Sequence, residues 1–269
     1  MDLSDTLRRF KVKPKKSLGQ NFLFDEAVLS RIVAAADVGL GDVVLEIGPG
    51  AGSLTRQLAQ AAARVVAVEL DDRLIPVLRH TLAGFHNVTL LHGDILTVNL
   101  QSLITSNYKV VANIPYYLTS AIIRRLLEAE FQPSVIVLTV QREVAGRICA
   151  APPDMSLLAV SVQFYGQPHL VGHIPAGAFY PKPDVDSAIV RINLFDQPPL
   201  RGTEADRFFE VVKAGFSQKR KQIKNSLSAG LKLNGAEAEK LLRAAEIDPA
   251  RRAETLTIEE WRRLSHPTT

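Results

Sequence analysis

The chain has 269 residues, 46% of them hydrophobic, and a formal net charge of +4 at pH 7. This suits a globular protein with one large and one small domain, and the single cysteine excludes an intrachain disulfide and a cysteine-based zinc cluster. No apolar run approaches the roughly 20 residues of a membrane span, and the charged N-terminus lacks the apolar stretch of a secretory signal, so we expect a cytoplasmic protein without membrane association.

Basic residues are concentrated in two segments. The first is an N-terminal arm with six lysines and arginines between positions 8 and 16, including Lys13, Lys15 and Lys16. The second lies within residues 211–236, which contain no carboxylate but include Lys219, Arg220, Lys221 and Lys224. Either run alone is typical of a solvated charged face, but two runs favour a polyanionic partner such as nucleic acid.

Short β-branched runs alternate with helical patterns over the first 195 residues. Strands are predicted at 43–47, 64–70, 88–95, 109–114 and 134–140, with two further candidates at 169–174 and 187–195. Amphipathic helices are predicted between them at 53–63, 72–82 and 120–130. Because apolar strands joined by helices form parallel sheets with right-handed crossovers, the predicted class is α/β with a mostly parallel, seven-stranded sheet.

A segment rich in proline, glycine and charge, DQPPLRGTEAD (196–206), follows these strands and is typical of a linker. Beyond it, helical patterns occur at 207–216, 221–231, 236–246 and 257–264, and Thr257 with Glu260 fits a capping box. We therefore predict a first domain over residues 1–200, which includes the basic N-terminal arm, and a small all-helical domain over residues 201–269.

A glycine turn follows the first predicted strand. Gly48, Gly50 and Gly52 allow the backbone to turn sharply and to approach a ligand, and a helix that begins near Ser53 would offer free N–H groups. This signal is weak by itself, because nicotinamide, flavin and methyl-transferring enzymes share such turns and some turns only connect two elements.

Carboxylates near the ends of the same strands narrow the choice of ligand. Glu69 ends the second strand, where it can accept hydrogen bonds from ribose hydroxyls, and Asp94 ends the third, within reach of an adenine edge. Either residue alone is as readily a helix cap or a surface ion pair. Glu46 adds a carboxylate suited to an amine or a loop N–H. S-adenosylmethionine, which combines adenosine with an ammonium group, explains this set better than NAD does.

The fourth strand ends in VANIPYYLTS (111–120). Asn113 and the Ile114 carbonyl can each accept a hydrogen bond from an adenine amine and so direct the nitrogen lone pair at a sulfonium methyl group. Pro115 holds the turn without an unpaired donor, and Tyr116 can stack on the base. The alternative is a turn with tyrosines packed on the surface. That alternative does not explain why the turn comes after three strands whose ends carry residues suited to binding a ligand. Tyr117 is interpreted as packing.

These motifs together resemble the ribosomal RNA adenine N6-dimethyltransferases. The resemblance is carried by NIPY (113–116), EIGPGAG (46–52), VVAVELD (65–71), HGDIL (92–96), KSLGQNFL (16–23) and AFYPKPDVDSA (178–188). A further segment, FSQKRK (216–221) followed by NSL (225–227), is similar to the basic signature of the small-subunit (KsgA-type) branch. The similarity runs from about Lys16 to Leu264.

The resemblance implies a Rossmann-like class I methyltransferase that dimethylates two adjacent adenosines in the 3′-terminal hairpin of small-subunit (16S) rRNA during ribosome biogenesis, using S-adenosylmethionine. Tyr116 and Phe179 would sandwich an adenine taken out of its stack. The basic arm and Lys219–Lys224 would bind rRNA phosphates, and a monomer is expected. By motif match, the cofactor would be bound by Asn21, Leu23, Gly48, Glu69, Asp94 and Asn113.

Three alternatives stay open: a large-subunit rRNA adenine dimethyltransferase of the antibiotic-resistance type, a nucleic-acid-binding assembly factor with little activity, and a nicotinamide oxidoreductase. The last lacks an evident hydride-transfer partner. His169 and His173 lie on one face of a predicted strand without a third ligand, so no metal site is expected. Where the family pattern has a Tyr-Gly pair, this chain has Met155-Ser156.

Overall fold

The computed structural model describes residues 3–266. These residues contain nine strands: β1 (Phe22–Leu23), β2 (Val43–Ile47), β3 (Arg64–Glu69), β4 (Val88–His92), β5 (Tyr108–Asn113), β6 (Val135–Gln141), β7 (Gly166–Ile174), β8 (Phe179–Tyr180) and β9 (Ser187–Leu194). They also contain eleven α-helices: α1 (Leu3–Arg9), α2 (Glu26–Ala35), α3 (Ser53–Ala61), α4 (Ile75–Thr81), α5 (Thr119–Leu127), α6 (Arg142–Ile148), α7 (Leu157–Tyr165), α8 (Thr203–Gly215), α9 (Ile223–Leu231), α10 (Gly235–Ala244) and α11 (Ile258–Ser265). None of the helices within residues 3–266 has the length and apolarity needed to cross a membrane.

Seven strands form one sheet in the order β4-β3-β2-β5-β6-β9-β7, and β1 pairs with β8 in a separate antiparallel ribbon. The pairs β2–β3, β2–β5, β3–β4 and β5–β6 are parallel, whereas β6–β9 is antiparallel. Val44, Val65 and Val111 are fully buried in the central strands, as expected for a sheet covered on both faces. The predicted mostly parallel, seven-stranded sheet is therefore confirmed.

The strand order places the ends of four parallel strands at one edge of the sheet. From β2 the chain adds β3 and β4 on one side and later returns to add β5 and β6 on the other. Ligands in open α/β sheets bind at the carboxyl ends of the strands, where this order reverses. The residues that follow β2, β3, β4 and β5 therefore meet at one crevice.

The described chain divides into two compact units. The sheet unit comprises residues up to Ala145 together with His169–Leu194, and the helical unit comprises Gly146–Pro168 and the chain from Phe195 onward. This division differs from the sequence-based cut between residues 200 and 201, because α7 belongs to the helical unit. Phe164 on α7 packs against Phe208 on α8, with ring centroids 4.5 Å apart.

The helical unit has its own core, built around the fully buried side chains of Trp261, Phe208 and Leu242. The predicted capping box is present at α11: the Glu260 N–H donates to the Thr257 hydroxyl (3.1 Å), and the Thr257 N–H donates to the Glu260 carboxylate (2.8 Å). Such a cap satisfies two helix-terminal donors at once.

Met155 and Ser156, the departure from the family pattern, serve the fold of the helical unit. Met155 is buried in its core, and the Ser156 hydroxyl accepts a hydrogen bond from the Ala159 N–H (3.1 Å) at the start of α7. Serine is a favoured residue at this cap position.

Candidate active site

A cavity opens at the carboxyl edge of the sheet, in the crevice that the strand order predicts. The segment before β1, the glycine turn after β2, the ends of β3 and β4 and the NIPY turn after β5 all contribute to its walls. Eleven predicted site residues line it: Asn21, Leu23, Glu46, Gly48, Gly50, Glu69, Asp94, Asn113, Ile114, Pro115 and Tyr116. Two other predicted residues, Gly52 and Phe179, are not among the lining residues.

The three glycines of the turn have different roles. All have positive φ angles, +68° at Gly48, +62° at Gly50 and +92° at Gly52. A Cβ on Gly48 would approach only the Asn113 carbonyl oxygen, at 4.0 Å, so this glycine leaves cavity space open. A Cβ on Gly50 would lie 2.9 Å from the Phe22 ring.

Gly52 packs against α4, and its predicted contact with a cofactor stays a prediction. A Cβ there would lie 3.1 Å from the Thr81 side chain and 3.2 Å from Leu78, so this glycine permits close packing of the turn against α4.

Glu69 is held at the end of β3 by backbone donors. Its Oε2 accepts from the Gly50 N–H (3.0 Å), and its Oε1 accepts from the Asp71 N–H (2.8 Å). Burial raises the pKa of this carboxyl, and the two N–H groups oppose that shift. The glycine turn and the β3 end are thereby joined through one carboxylate.

Glu46 is the most buried acid of the cavity. Its side chain is 1% exposed, and its Oε2 has no hydrogen-bond partner within residues 3–266. Burial raises its pKa to about 8; the Thr55 hydroxyl opposes this shift and the Glu69 charge adds to it. An isolated buried carboxylate is costly, so the neutral form is favoured near pH 7.

Asp94 lies half-buried in the turn that follows β4. Its Oδ1 accepts a hydrogen bond from the Leu96 N–H (2.9 Å), which fixes the carboxyl group at the mouth of the turn. Its Oδ2 has no hydrogen-bond partner in the part of the chain that the structure describes. The side chain therefore presents one available acceptor at the third strand end.

Asn113 is oriented by a distant part of the chain. Its Nδ2 donates to the backbone carbonyl of Asn21 (3.1 Å), and Asn21 lies in the segment before β1. Because the amide N–H is used in this way, the Oδ1 atom remains as the acceptor at the cavity wall. Ile114 is buried next to it, and Pro115 precedes a short 3₁₀ turn at Tyr116–Leu118.

Tyr116 is tethered through its hydroxyl. The phenol oxygen lies 2.6 Å from the Ser187 Oγ, and Ser187, the first residue of β9, is fully buried. Burial raises the pKa of the Tyr116 phenol, so the hydroxyl stays neutral and can share its proton with the serine. Ser187 lies in the DSA part of the AFYPKPDVDSA segment, but spacing alone gave no sign of its contact with Tyr116.

Phe179 is not among the residues that line the cavity. The ribbon pairs it with Leu23, and both side chains are buried in the same core cluster, where Phe179 is only 3% exposed. Neighbouring residues in a strand point to opposite faces, and the next residue, Tyr180, is 49% exposed. The expected stacking of a base between Tyr116 and Phe179 stays a prediction.

A network of hydrogen bonds that the sequence did not predict fixes the segment before β1. The Gln20 amide donates to Asp71 (2.7 Å) and accepts from the Lys15 N–H (2.8 Å). Asp71 also pairs with Arg73 (2.5 Å), which holds the pKa of Asp71 below its usual range. The GQNFL motif was the available sequence signal for this network.

Tyr117 lies beside the same segment. A Cβ on Gly19 would lie 3.2 Å from the Tyr117 ring.

The predicted RNA-binding residues differ in their surroundings. In the described part of the chain, six of them are exposed and have no side-chain partner: Lys13, Lys15, Lys16, Lys219, Arg220 and Lys221. Lys224 instead forms an ion pair with Glu239 (3.3 Å). Within residues 3–266 no group of three or more His, Cys, Asp or Glu residues is placed to hold a metal ion.

The sheet order, the glycine turn and the acidic strand ends define a Rossmann-like class I methyltransferase fold. The family model described as "Ribosomal RNA adenine dimethylase" matches residues 11–267. The chain belongs to the ribosomal RNA adenine dimethylase family.

Named relatives support this assignment over nearly the whole chain. A protein of Dehalococcoides mccartyi (strain CBDB1) named "Ribosomal RNA small subunit methyltransferase A" is 46% identical, covering 97% of this chain and 90% of its own length. A protein of the same name from Bacillus licheniformis is 42% identical, with 97% and 93% covered.

Two solved structures share the fold. The 23S rRNA methyltransferase ErmE has a TM-score of 0.76 and 31% identity, covering 92% of this chain and 99% of its own. A dimethyladenosine transferase from Plasmodium falciparum has a TM-score of 0.76 and 24% identity, covering 90% and 95%.

Proposed function

We propose that this chain transfers methyl groups from S-adenosylmethionine to N6 of two adjacent adenosines near the 3′ end of small-subunit rRNA, two to each base. The observation that carries the proposal is the Asn113 carboxamide, which is anchored through its N–H and keeps its Oδ1 as an acceptor at the wall of an acid-lined cavity. The small-subunit substrate is favoured because relatives of that name are 41–46% identical, whereas ErmE is 31% identical.

The residues of the cavity fit S-adenosylmethionine. Gly48 leaves open the space that a Cβ would fill, and Glu46 has an orphaned carboxyl oxygen suited to a cationic ligand. Glu69 would bind the ribose hydroxyls and Asp94 the adenine edge, while Asn21 and Leu23 would complete the wall. When bound, S-adenosylmethionine supplies an electrophilic methyl group on a sulfonium ion.

Asn113 and Ile114 would hold the acceptor nitrogen. The Asn113 Oδ1 and the Ile114 carbonyl would each accept one N–H of the adenine amine, which turns the nitrogen lone pair away from the ring. Pro115 has no N–H, so the turn contributes a carbonyl without an unpaired donor beside it. Alignment of this kind can supply roughly 7–11 kcal/mol of the barrier.

Tyr116 would stack on the flipped base, a contact worth roughly 1–3 kcal/mol in single-strand binders. Its tether to Ser187 would keep the ring from rotating away when the site is empty of RNA. The conformational entropy of the ring would then be lost when the protein folds and not when RNA binds. The exposed lysines and arginines of the two basic segments would bind rRNA phosphates, with strong dependence on salt.

The test offers labelled S-adenosylmethionine and the purified chain to unmethylated small subunits, large subunits and naked rRNA. We expect label in the small-subunit sample, recovered as N6,N6-dimethyladenosine after digestion to nucleosides. Label only in the large-subunit sample would overturn the substrate. Binding of S-adenosylmethionine without transfer to any of the three would favour the assembly-factor alternative.

A further inference from the structure

An exposed tyrosine at the mouth of the cavity has no role in the proposed function so far. Tyr117 is among the residues that line the cavity, as is Tyr116. It is nevertheless 60% exposed, more than any other tyrosine, phenylalanine or tryptophan in residues 3–266. A single exposed ring is ordinary on a protein surface, so the surroundings of Tyr117 decide what it can bind.

The Tyr117 ring is held in place along one edge. A Cβ on Gly19 would lie 3.2 Å from two atoms of the ring, Cδ1 and Cε1, and 3.3 Å from the Pro115 Cβ. The ring edge therefore lies against the glycine backbone beside the NIPY turn, and the rest of the ring is open to solvent. Because folding already restricts this ring, little conformational entropy is lost when another flat group stacks on it.

The turn beneath the ring carries two exposed lysines, Lys15 and Lys16. The Gly19 N–H donates to the Lys16 carbonyl (2.9 Å), and the Leu18 N–H donates to the Lys15 carbonyl (3.0 Å), so both lysines belong to the turn that Gly19 closes. No aspartate or glutamate occurs between positions 6 and 24. Proteins bind single-stranded nucleic acid with this combination, in which aromatic rings stack on bases and cations bind the backbone.

Tyr116 and Tyr117 are consecutive residues of the 3₁₀ turn Tyr116–Leu118. With three residues per turn, their side chains point about 120° apart. The Tyr116 hydroxyl reaches inward to the buried Ser187 (2.6 Å), whereas Tyr117 points outward at the mouth of the cavity. Neighbouring nucleotides separate in the same way when one base is taken out of its stack into a pocket and the next base remains outside.

We propose that Tyr117 stacks on the base next to the one that enters the cavity, so that the chain selects a pair of neighbouring nucleotides and not a single adenosine. This inference rests on the proposed function, whose substrate has two adjacent adenosines. Tyr116 then contacts the target base and Tyr117 contacts a neighbour, while Lys15 and Lys16 bind the phosphates of the same strand.

Two variants separate stacking from packing on Gly19. Tyr117→Phe keeps the ring, and Tyr117→Leu keeps an apolar side chain against Gly19 without an aromatic face. With labelled S-adenosylmethionine, we expect the KM for small subunits to rise about tenfold in Tyr117→Leu and to stay native in Tyr117→Phe. The kcat and the Kd for S-adenosylmethionine should be native in both.

A native KM in Tyr117→Leu would overturn the proposal. A loss of affinity for S-adenosylmethionine large enough to explain the slower reaction would also overturn it, because Tyr117 would then only hold the segment around Gly19. The matched control is Phe131→Leu, which removes an exposed ring beside Tyr108, the first residue of β5 and therefore at the opposite end of the strand from the NIPY turn. This control should have the native KM, and thermal unfolding checks that each variant is folded.

RNA variants identify the base that Tyr117 contacts. A hairpin RNA with two adjacent loop adenosines is made in two further versions, each with one of the two replaced by an abasic nucleotide, so that the other is the target and its neighbour on one side lacks a base. In one of these versions, kcat/KM of the native chain should fall about tenfold, and that of Tyr117→Leu should fall no further than its value with the intact hairpin.

The outcomes distinguish this inference from the proposed function. Equal losses in the native chain and in Tyr117→Leu with both abasic versions would overturn the inference while the proposed function stands. If the native chain methylates only whole subunits, the KM comparison alone decides. Failure of the native chain to methylate both small subunits and the hairpin would instead overturn the proposed function.

Discussion

The cavity and the two basic segments of this chain hold their polar side chains in different ways. Around the cavity, Asn113, Tyr116 and Glu69 are each fixed by a partner that lies elsewhere in the sequence. In the basic segments, residues such as Lys15 and Lys221 are exposed and lack a side-chain partner within residues 3–266. We infer that the proposed methyl transfer depends on geometry fixed by folding, whereas the proposed RNA binding depends on charged side chains that are free to change conformation.

Removal of a fixed group should have the largest effect. The change Asn113→Ala removes the oriented acceptor, and loss of one such preorganised group costs roughly a hundredfold or more in rate. We expect kcat with small subunits to fall by that factor, while the Kd for S-adenosylmethionine, measured by calorimetry, rises only modestly. A variant with native turnover would show that Asn113 does not orient the amine.

Glu46 should make stability depend on pH. Its folded-state pKa of about 8 lies above the ordinary value of 4.5, so the folded protein holds the proton more tightly than the unfolded chain. Stability from this group is therefore complete below about pH 4.5 and is lost as the pH rises through about 8, at about 1.4 kcal/mol per pH unit in between.

Chemical denaturation of the native chain and of Glu46→Gln at several pH values measures this dependence. The variant should unfold with a flatter pH profile and should gain relative stability as the pH rises. Parallel profiles would show that Glu46 is already ionised in the free protein.

Loss of the Tyr116 tether should have a smaller effect. The change Ser187→Ala removes one buried hydrogen bond, a loss of about 0.5–1.5 kcal/mol, which corresponds to a rise in KM for the subunit of up to about tenfold. Tyr116→Phe removes the same bond from the other side and keeps the stacking ring. The double variant should then be no worse than either single one, whereas additive losses would exclude a shared role.

The smallest expected effect contrasts two lysines of the basic segment. Lys221→Ala should weaken RNA binding and lower the salt slope by roughly one unit, as for loss of one phosphate contact. Lys224→Ala should lower it less, because the Lys224 ammonium is already paired with Glu239 at 3.3 Å. Filter binding across a salt series measures the salt slope of both variants. Equal slopes would show that the ion pair between Lys224 and Glu239 breaks when RNA binds.

Local patterns were sufficient to predict the sheet and most of the cavity wall. Strand ends are set by short apolar runs, and parallel strands bring their ends together, so the sequence alone places Gly48, Glu69, Asp94 and Asn113 at one edge. Glu46 was also placed at this edge, but its missing partner depends on neighbours from several strands and could not be predicted from spacing.

The contacts that sequence patterns did not predict join distant parts of the chain. The burial of Phe179 in the core of the sheet unit depends on its register with Leu23 in the ribbon. Gly52 follows the ligand pattern of the turn yet is required by its packing on α4. The Tyr116–Ser187 contact joins residues 71 positions apart, and the periodicity of the sequence cannot predict a contact between residues so far apart.

The hydrogen bond between Asn113 and the Asn21 carbonyl joins residues 92 positions apart. During synthesis, Asn21 leaves the ribosome before β5, which carries Asn113. The hydrogen bond between them therefore forms only after β5 has been made. A fragment that begins after Asn21 would still contain the glycine turn and the acidic strand ends. It would lack the hydrogen bond that orients the Asn113 amide, so an N-terminal truncation would remove part of the proposed catalytic geometry together with the basic arm.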